Sequence, residues 1–478
     1  MSGQTKSLAN AGTIKKESNT YPLLKNILEE LLLKITKVNF GSKAGIGTQD
    51  LQLRKKHFLI CCVEQVIEIA AKNNSGFCVE ANFLYAYNGR HWHLTSESEM
   101  KSFLGEAAEK MGISKFDARH YLYRDALFYQ FMSTAKVQES NKEKSSILIN
   151  FGNGTFEFTN TTHNLRGFKG EDFLKYILPF DYNPSASAPM FQNFLNQVLP
   201  EVGTQQILAE YFGSIFIPKS TMNFEKTLLL YGKGSNGKSV LFEIISAVLG
   251  GSMNISNYSL SSLTDEKGYH RAYLANKLIN FATELSGNFD AALFKQLVSG
   301  EPIEARLPYS NPFILTDYAK LAFSCNEMPR VTEHNYAFFR RFIIVPFNVT
   351  INEEDQDREL AKKIIRHELS GVFNWMLEGF KRLLQNKKFT ECAEVRQELE
   401  AYKTQSDSVL LFLEDNPYQK SVTEFVRLKD LYTTYKDYCK ENGYMALANI
   451  AFSRRLNALN FQMDRKTFGM AVYAKKET

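Results

Sequence analysis

A glycine-rich stretch near the middle of the chain has the composition of a phosphate-binding loop. The sequence from Gly232 to Ser239, GKGSNGKS, fits the pattern G-x-x-x-x-G-K-[ST] and follows an apolar run. Glycines let such a loop fold tightly enough for its backbone N–H groups to surround phosphate oxygens. Lys238 would reach the β- and γ-phosphates of a nucleotide, and Ser239 would coordinate Mg²⁺. We therefore predict binding of ATP and Mg²⁺ by Gly232, Lys233, Gly234, Ser235, Asn236, Gly237, Lys238 and Ser239.

Polar residues at three places downstream have the types expected in an ATP-hydrolysing site. Glu284 follows an apolar run, and a carboxylate at the end of a buried strand can hold Mg²⁺ and polarise the attacking water. Asn326 ends a second apolar run, where its amide would orient that water. Arg340 and Arg341 precede a third run, and arginine stabilises a transferring phosphoryl group. Each residue alone could be an ordinary polar strand end, but with the loop they occur in the order expected of an ATPase.

The hydrophobic pattern predicts the elements that must position these residues. Apolar residues at helical spacing follow the loop through Leu241, Ile244, Ile245 and Val248. A strand before the loop and a helix after it are the context that a phosphate-binding loop requires. The sequence therefore predicts an α/β core in which the ends of buried strands carry the chemistry.

Upstream of this core, the sequence predicts short helices and strands. The helical patterns cover 21–35, 58–71, a segment after a capping box at Ser96 and Glu99, and 190–215, and the strand patterns cover 77–87, 91–94 and 147–158. The basic aromatic stretch 119–124 either stacks on nucleic-acid bases or packs its rings into a core.

Composition and charge restrict the class of protein. The chain has 478 residues, 44% of them hydrophobic and 23% charged, which predicts several globular domains. Its net charge of +5 permits a nucleic-acid partner without requiring one. Six scattered cysteines without metal-ligand spacing are typical of reduced core residues. Because no apolar stretch is long enough for a membrane span or a signal peptide, we expect a soluble, cytoplasmic protein.

Beyond the core, the sequence predicts a helical layer and a DNA-binding tail. Helical spacing recurs over 355–369, 372–384 and 395–403. After residue 406, three helical patterns precede a basic hairpin, an order typical of a winged helix. The recognition helix would carry Arg454 and Arg455, and the wing would carry Arg465 and Lys466. The alternative is a small helical cap that binds protein.

The combined motifs resemble those of the superfamily three helicases, in the branch of phage, plasmid and poxvirus primase-helicases. The resemblance covers most of the chain and rests on GKGSNGKS at 232–239, TE at 283–284, SGEPIEAR at 299–306, SCNEMP at 324–329 and FRRFIIVPF at 339–347. Two departures accompany it. Thr283 stands where many P-loop ATPases carry aspartate, and the pattern of a primase domain is absent from the sequence.

The resemblance implies roles for individual residues. Lys238 and Ser239 would bind phosphate and Mg²⁺, Glu284 would be the Walker B residue and Asn326 the polar sensor. Arg340 or Arg341 would be a finger presented to a neighbouring subunit's ATP. Residues 301–313 match the family's pore hairpin, which grips single-stranded DNA, and the candidates there are Lys295, Arg306 and Tyr309. The alternative for Arg306 is a structural salt bridge with Glu301 or Glu304.

The sequence is thus interpreted as an α/β protein with an AAA+-like P-loop ATPase core, an N-terminal α+β domain and a C-terminal winged-helix domain. The expected segments are a disordered tail (1–20), an N-terminal helical/β domain (21–137), a pre-ATPase collar region (147–220), the ATPase core (221–350), a helical layer (351–405) and the winged-helix domain (406–478). A linker-like run separates the second and third segments.

The expected function is that of an ATP-dependent replicative DNA helicase of a phage, plasmid or other mobile element. It would translocate on single-stranded DNA and act on forked DNA. An arginine finger that acts on a neighbouring subunit requires head-to-tail contacts between subunits. When such contacts close on themselves they form a ring, so we predict a homo-oligomeric ring, a hexamer. A separate primase or replication initiator is a further expected partner. The alternatives are an ATP-switched DNA-binding initiator or loader module and a non-helicase P-loop ATPase.

Overall fold

A computed structural model of the protein places the chain in two units. It describes residues 27–45, 52–80, 83–135, 146–159, 163–283, 285, 289–307, 311–329, 331 and 335–477. One unit comprises residues 1–142 and 169–173, and the other comprises residues 143–168 and 174–478. The predicted disordered tail and nearly all of the predicted linker lie outside the described residues. Among the helices described, none combines the length and the apolar composition needed to cross a membrane.

The first unit packs helices against a small antiparallel sheet. Its helices are α1 (Ile27–Lys34), α2 (Phe40–Lys43), α3 (Lys55–Lys72), α4 (Glu97–Met111), α5 (Lys115–Arg119) and α6 (Tyr121–Thr134). Its strands are β1 (Gly76–Glu80), β2 (Phe83–Tyr87) and β3 (Trp92–Thr95), and they follow one another across the sheet. The predicted capping box is confirmed, because the Ser96 N–H donates to Glu99 at 2.9 Å and the Glu99 N–H donates to Ser96 Oγ at 3.2 Å.

One strand prediction in this unit is wrong. The run 77–87 forms two antiparallel strands, β1 and β2, with Glu80 opposite Phe83. The run holds no glycine or proline to mark a reversal, so the apolar pattern alone predicts one strand. The basic aromatic stretch is divided between two environments, since Tyr123 of α6 is buried while Tyr121 is 66% exposed. Of these two tyrosines, only Tyr123 packs its ring into a core, which is the alternative to stacking on nucleic-acid bases.

The second unit begins with a three-stranded antiparallel sheet and two helices. These elements are β4 (Ile147–Phe151), β5 (Gly154–Phe158), β6 (His163–Arg166), α7 (Pro189–Val198) and α8 (Val202–Ser214). The predicted strand pair and the predicted helices over 190–215 are confirmed, whereas β6 is an addition to the prediction. Single turns of 3-10 helix lie at Gly170–Asp172, in the first unit, and at Gly251–Met253 and Glu353–Asp355 in the second.

A parallel sheet forms the centre of the second unit. Its surrounding elements, in chain order, are β7 (Thr227–Tyr231), α9 (Lys238–Leu249), β8 (Ile255–Ser256), α10 (Leu260–Leu263), α11 (Tyr269–Ala272), β9 (Ile279–Ala282), α12 (Ala291–Ser299), β10 (Ile303–Ala305), β11 (Phe313–Leu315), β12 (Lys320–Cys325), α13 (Tyr336–Phe339) and β13 (Phe342–Pro346). The strand order is β13-β7-β12-β9-β8, with every neighbouring pair parallel. Strands β10 and β11 form a separate antiparallel hairpin. The prediction of an α/β fold is confirmed.

Both faces of this sheet are buried, as the apolar runs require. On β7, Leu228 and Leu230 belong to one hydrophobic cluster and Leu229 belongs to another. Successive side chains of a strand point to opposite faces, so a strand covered on both sides reads as a continuous apolar run. Burial on both sides holds the strand ends, and the polar residues after them, in fixed positions.

A helical layer follows the sheet and contributes to both of the hydrophobic clusters that cover it, through Phe373 in one and Tyr402 in the other. It contains α14 (Leu360–His367), α15 (Leu369–Asn386) and α16 (Ala393–Ser406), in agreement with the predicted helices. An ion pair with a buried acid joins α15 to α8, because Arg382 Nε donates to Glu210 Oε1 at 2.9 Å. The second carboxylate oxygen of Glu210 accepts from the Thr390 N–H at 2.8 Å, so this fully buried acid is paired on both oxygens.

The C-terminal part contains three helices and small antiparallel sheets around its own core. Its elements are α17 (Ser408–Asp415), β14 (Tyr418–Lys420), β15 (Val426–Arg427), α18 (Leu428–Glu441), α19 (Asn449–Ala458), β16 (Met463–Lys466), β17 (Gly469–Val472) and β18 (Ala474–Lys476). One sheet has the order β15-β17-β16, and β14 pairs with β18. The predicted three helices and hairpin are confirmed. Aromatic residues such as Phe412, Tyr435 and Phe452 form the core.

Candidate functional site

The glycine-rich loop lies between β7 and α9, at the carboxyl edge of the parallel sheet. Strand β7 ends at Tyr231 and α9 begins at Lys238, which confirms the strand and helix predicted on either side. Gly237 takes φ of 86°, and a Cβ there would lie 2.8 Å from Val198 Cγ1 and 2.9 Å from Phe194 Cε2. Only glycine fits this position, because both the backbone angle and the contact with α7 exclude a side chain.

Lys238 directs its ammonium group into the loop. Its Nζ donates to the carbonyl oxygen of Gly232, to Asn236 Oδ1 at 3.0 Å and to the carbonyl oxygen of Lys233 at 3.4 Å. The residue is buried, and this burial lowers the pKa of the amine below its ordinary value. The partners of the ammonium are neutral oxygens of the loop. The loop therefore holds a positive charge at its centre.

Asn236 fastens the loop to the strand beside β7. Its Nδ2 donates to the carbonyl oxygen of Lys233 and, at 3.0 Å, to that of Phe347, which follows β13. A second link joins the Ile351 N–H to the Ser235 carbonyl oxygen at 2.8 Å. The sequence predicts Asn236 only as a member of the loop, since its partner Phe347 is 111 residues away and no local pattern connects the two. The fold thus adds a positioning role to this residue.

The fold brings Asn326 to the same edge of the sheet. Strand β12 pairs with β7 through Cys325 and Tyr231, and the Gly232 N–H donates to the Cys325 carbonyl oxygen at 3.3 Å. Asn326 is the next residue and is exposed, so its amide lies beside the start of the loop. Burial raises the pKa of the Cys325 thiol to about 12, which keeps this neighbour neutral.

Glu284 lies outside the described residues. Strand β9 ends at Ala282, and its pairing with β12 places that end at the same edge of the sheet as the loop. Thr283 follows and is exposed. The Walker B role of Glu284 therefore stays a prediction, as does its share in a metal site with Ser239, which is exposed on the first turn of α9.

The two candidate finger arginines lie at the opposite edge of the sheet. Arg341 precedes β13, whose first residue pairs with Thr227 at the start of β7. The length of β7, roughly 13 Å, separates this edge from the loop. Arg340 Nη2 donates to Glu225 Oε2 at 2.6 Å, whereas Arg341 Nη2 donates to Ser299 Oγ at 2.7 Å. The structure does not bring either arginine to the loop of its own chain.

The candidate pore hairpin is present as β10 and β11. Ile303 pairs with Leu315 and Ala305 with Phe313. Buried Arg271 fixes β10, because its Nε donates to the Glu304 carbonyl oxygen at 2.9 Å. Arg306, just after β10, is exposed, and Lys295 lies on α12. Tyr309 lies outside the described residues.

The basic residues of the C-terminal part have different surroundings. Arg454 is exposed on α19, whereas Arg455 Nε donates to the buried Asp407 carboxylate at 2.8 Å. Arg465 and Lys466 are successive residues of β16 and so face opposite sides of the sheet. Of the two helix arginines, Arg454 is thus the one free of this structural ion pair, and their roles on DNA stay predictions.

Three segments of the chain match known family models. Residues 65–200 match the family described as D5 N terminal like, and residues 404–477 match the family described as Poxvirus D5 protein-like. Residues 230–341, which contain the loop, match a family of unknown function, DUF5906. Each match covers less than a third of the chain, so the finding is a similarity to D5 proteins in two segments.

Two viral proteins with helicase names are also similar to the chain. A helicase-named protein of Acanthamoeba polyphaga mimivirus is 23% identical over 251 residues, which cover 49% of this chain and 25% of the relative. A helicase-named protein of Frog virus 3 (isolate Goorha) is 23% identical over 313 residues, which cover 59% of this chain and 32% of the relative. The chain thus spans between a quarter and a third of the length of these curated relatives.

Solved structures of the NrS-1 C-terminal region are also similar to the chain. An apo structure of that region matches with a TM-score of 0.48 and 11% identity, covering 86% of this chain and 98% of the other. A second apo structure gives a TM-score of 0.44 at the same identity.

Proposed function

We propose that the protein is an ATP-driven, ring-forming replicative DNA helicase of the superfamily three type. The observation that carries the proposal is the loop with Lys238 at its centre, held beside the Asn326 strand end in a sheet of order β13-β7-β12-β9-β8. In that order the loop follows a strand with parallel neighbours on both sides and precedes a helix, which is the context of a phosphate-binding loop. Helicase-named viral relatives support the same conclusion.

The residues of the loop fit a nucleotide with its Mg²⁺. The Lys238 ammonium is held by neutral oxygens, so phosphate oxygens can replace them with a gain in charge attraction. The first N–H groups of α9 lack intrahelical partners and point toward the loop. Ser239 and Glu284 would hold Mg²⁺, which neutralises charge on the phosphates when bound. Asn326 would orient water, and the Glu284 carboxylate would accept its proton.

A neighbouring subunit would supply the arginine. Arg340 and Arg341 lie about one strand length from their own loop, which supports a role on another chain's ATP. Arg340 is the better candidate, because its side chain is 45% exposed whereas that of Arg341 is 9% exposed. An arginine that reaches a neighbour's site in every subunit requires heterologous contacts that close into a ring. We propose a hexamer.

Two elements would contact DNA. The β10–β11 hairpin, with Arg306 and Tyr309 and with Lys295 nearby, would grip a single strand in the pore. Three helices with a sheet of order β15-β17-β16 support a winged-helix domain, whose α19 and wing would bind duplex or forked DNA. A replication initiator or a separate primase would be the protein partner of such a helicase in a phage, plasmid or other mobile element.

Strand displacement on a forked DNA substrate tests the proposal. We expect ATP hydrolysis to rise when single-stranded DNA is added, and the fork to be unwound only with ATP. Lys238→Ala should abolish both activities without unfolding the chain and serves as the control. DNA-stimulated hydrolysis without any unwinding would favour an initiator or loader, and hydrolysis indifferent to DNA would favour a non-helicase ATPase.

A further inference from the structure

The sheet of the C-terminal part has one face that does not cover the core. Val426, Val472 and Met463 lie opposite one another on the three strands and belong to the hydrophobic core or pack against it. Residues paired across antiparallel strands share a face, and successive residues alternate. Arg427 and Lys466 therefore lie on the other side of the sheet. We call this side the outer face.

Exposed aromatic rings gather on the outer face. Phe425 is 45% exposed and Phe468 is 40% exposed, and their rings stack at a centroid distance of 5.7 Å with planes 17° apart. Tyr473 meets Phe425 edge-on at 6.1 Å. Phenylalanine side chains left half in water cost free energy, so a stacked pair of them on a surface indicates a contact with a partner.

Cations are interleaved with these rings. The Arg427 guanidinium lies 4.9 Å from the centroid of Phe468, and Lys466 Nζ lies 5.9 Å from that of Phe425 and 5.6 Å from that of Tyr473. Asp464 is an acid on this face, and it lies 3.3 Å from Lys466. The two cations Arg427 and Lys466 outnumber this acid, so the charges named on the face sum to a positive value.

Aromatic rings with alternating cations match the chemistry of a single nucleic-acid strand. Unpaired bases stack on aromatic rings and on arginine planes, while lysine and arginine meet the phosphates. A duplex hides the faces of its bases and offers nothing for Phe425 and Phe468 to stack on. An apolar protein partner would desolvate the Arg427 guanidinium without supplying a counter-charge.

The geometry points to a single-stranded DNA site on the outer face, formed by Phe425, Arg427, Lys466, Phe468 and Tyr473. It is separate from the α19 surface expected to meet duplex DNA, because it lies on the opposite side of the sheet from the core that α19 helps to form. The inference rests on the proposed helicase function. One displaced strand would follow the outer face while the other passes through the ring.

Binding of labelled oligothymidylate to the full-length chain without nucleotide tests this site. The double variant Phe425→Ala, Phe468→Ala should weaken single-strand binding about tenfold or more, and a matched duplex should bind within about twofold of the parent. The double variant Leu33→Ala, Val202→Ala is the control, because it removes two exposed apolar side chains elsewhere in the chain and should leave single-strand affinity unchanged. Phe425→Tyr with Phe468→Tyr should restore binding, since rings are retained.

Salt dependence and ATP hydrolysis complete the test. Lys466→Gln should lower the slope of log affinity against log salt by about 0.7, whereas the alanine double variant should keep it. Unchanged single-strand affinity in the alanine double variant overturns the inference and leaves the face to a protein partner. A failure of the helicase proposal would show up in a different measurement. In that case the parent chain itself would lack ATP hydrolysis or would not unwind DNA.

Discussion

The side-chain amide of Asn236 donates to the carbonyl oxygen of Phe347 at 3.0 Å and so ties the glycine-rich loop to the strand beside it. The Oδ1 atom of the same side chain accepts from Lys238 Nζ at 3.0 Å. One buried amide thus sets both the position of the loop and the direction of the lysine. An amide suits this position because it donates on one side and accepts on the other.

Asn236→Asp should impair nucleotide binding while preserving side-chain shape. A carboxylate cannot donate to Phe347, and it would pair with Lys238 and compete with phosphate for the ammonium. We expect the affinity for a fluorescent ATP analogue to fall about tenfold or more, and stability to fall by about 1–3 kcal/mol because a buried carbonyl loses its partner. Asn236→Ser, which removes the competing charge, should bind nucleotide better than Asn236→Asp. Equal affinity of Asn236→Asp and the parent would contradict the positioning role.

Glu284→Gln should separate nucleotide binding from hydrolysis. The amide cannot replace the charge that polarises the attacking water, so the turnover number should fall by about a hundredfold or more. Affinity for the ATP analogue should stay within about threefold of the parent, because an uncharged side chain next to phosphates adds no repulsion. Thr283→Ala, at the adjacent exposed position, is the control and should keep most of the activity. Hydrolysis by Glu284→Gln at the parent rate would remove Glu284 from the catalytic role.

Local patterns predicted the elements of the core but not the contacts between them. The strand before Gly232, the helix after it and the runs that end near Glu284 and at Asn326 are visible because both faces of the sheet are buried. The hydrogen bond from Asn236 to Phe347 cannot be predicted from a local pattern, because it joins residues far apart in sequence. Tertiary neighbours of a polar residue follow from strand order, which no local pattern specifies.

The basic residues show the same limit. The sequence predicts Arg454 and Arg455 as equivalent members of one helix, yet only Arg455 reaches Asp407. It predicts Arg465 and Lys466 as one wing, yet strand alternation separates them. No local pattern predicts the stacked pair of Phe425 and Phe468, because the two residues are distant in sequence and meet only in the fold.

Lys320 should make stability depend on alkaline pH. This partly buried lysine begins β12, and burial lowers the pKa of its amine to about 8. In the unfolded chain the pKa is about 10.4, so between these values the unfolded state binds more protons and this contribution to stability rises with pH. Lys320→Met should be more stable than the parent by about 1–3 kcal/mol below pH 8, and the difference should vanish near pH 10.4. The measurement is urea unfolding across this pH range, and Lys429→Met, at an exposed position, is the control. A difference in stability between Lys320→Met and the parent that stays constant with pH would contradict the prediction.

Arg455 and Arg454 should separate folding from DNA binding. Arg455→Ala leaves the buried Asp407 carboxylate without its cation, so the C-terminal part should lose about 1–3 kcal/mol of stability. Arg454→Ala, one residue away and exposed, should leave thermal unfolding unchanged and weaken duplex binding, with a salt slope lower by about one. Thermal unfolding and fluorescence anisotropy of both variants supply the comparison. Equal thermal stability of the two variants would contradict the assigned difference.

Arg340 should act on the ATP of a neighbouring subunit. Its exposed ion pair with Glu225 contributes little to stability, so Arg340→Ala should fold like the parent and yet lose about a thousandfold or more in hydrolysis. Arg341→Ala should instead be destabilised by about 1–3 kcal/mol, because it loses buried bonds to Ser299 and Ala337. Glu225→Gln, which releases Arg340, should keep its activity.

The decisive measurement mixes Arg340→Ala with Lys238→Ala subunits, each inactive alone. Mixed rings contain interfaces where an intact loop meets an intact Arg340, so part of the hydrolysis should return. No recovery in assemblies shown to be mixed would eliminate Arg340 as the finger, and recovery with Arg341→Ala in its place would make Arg341 the finger.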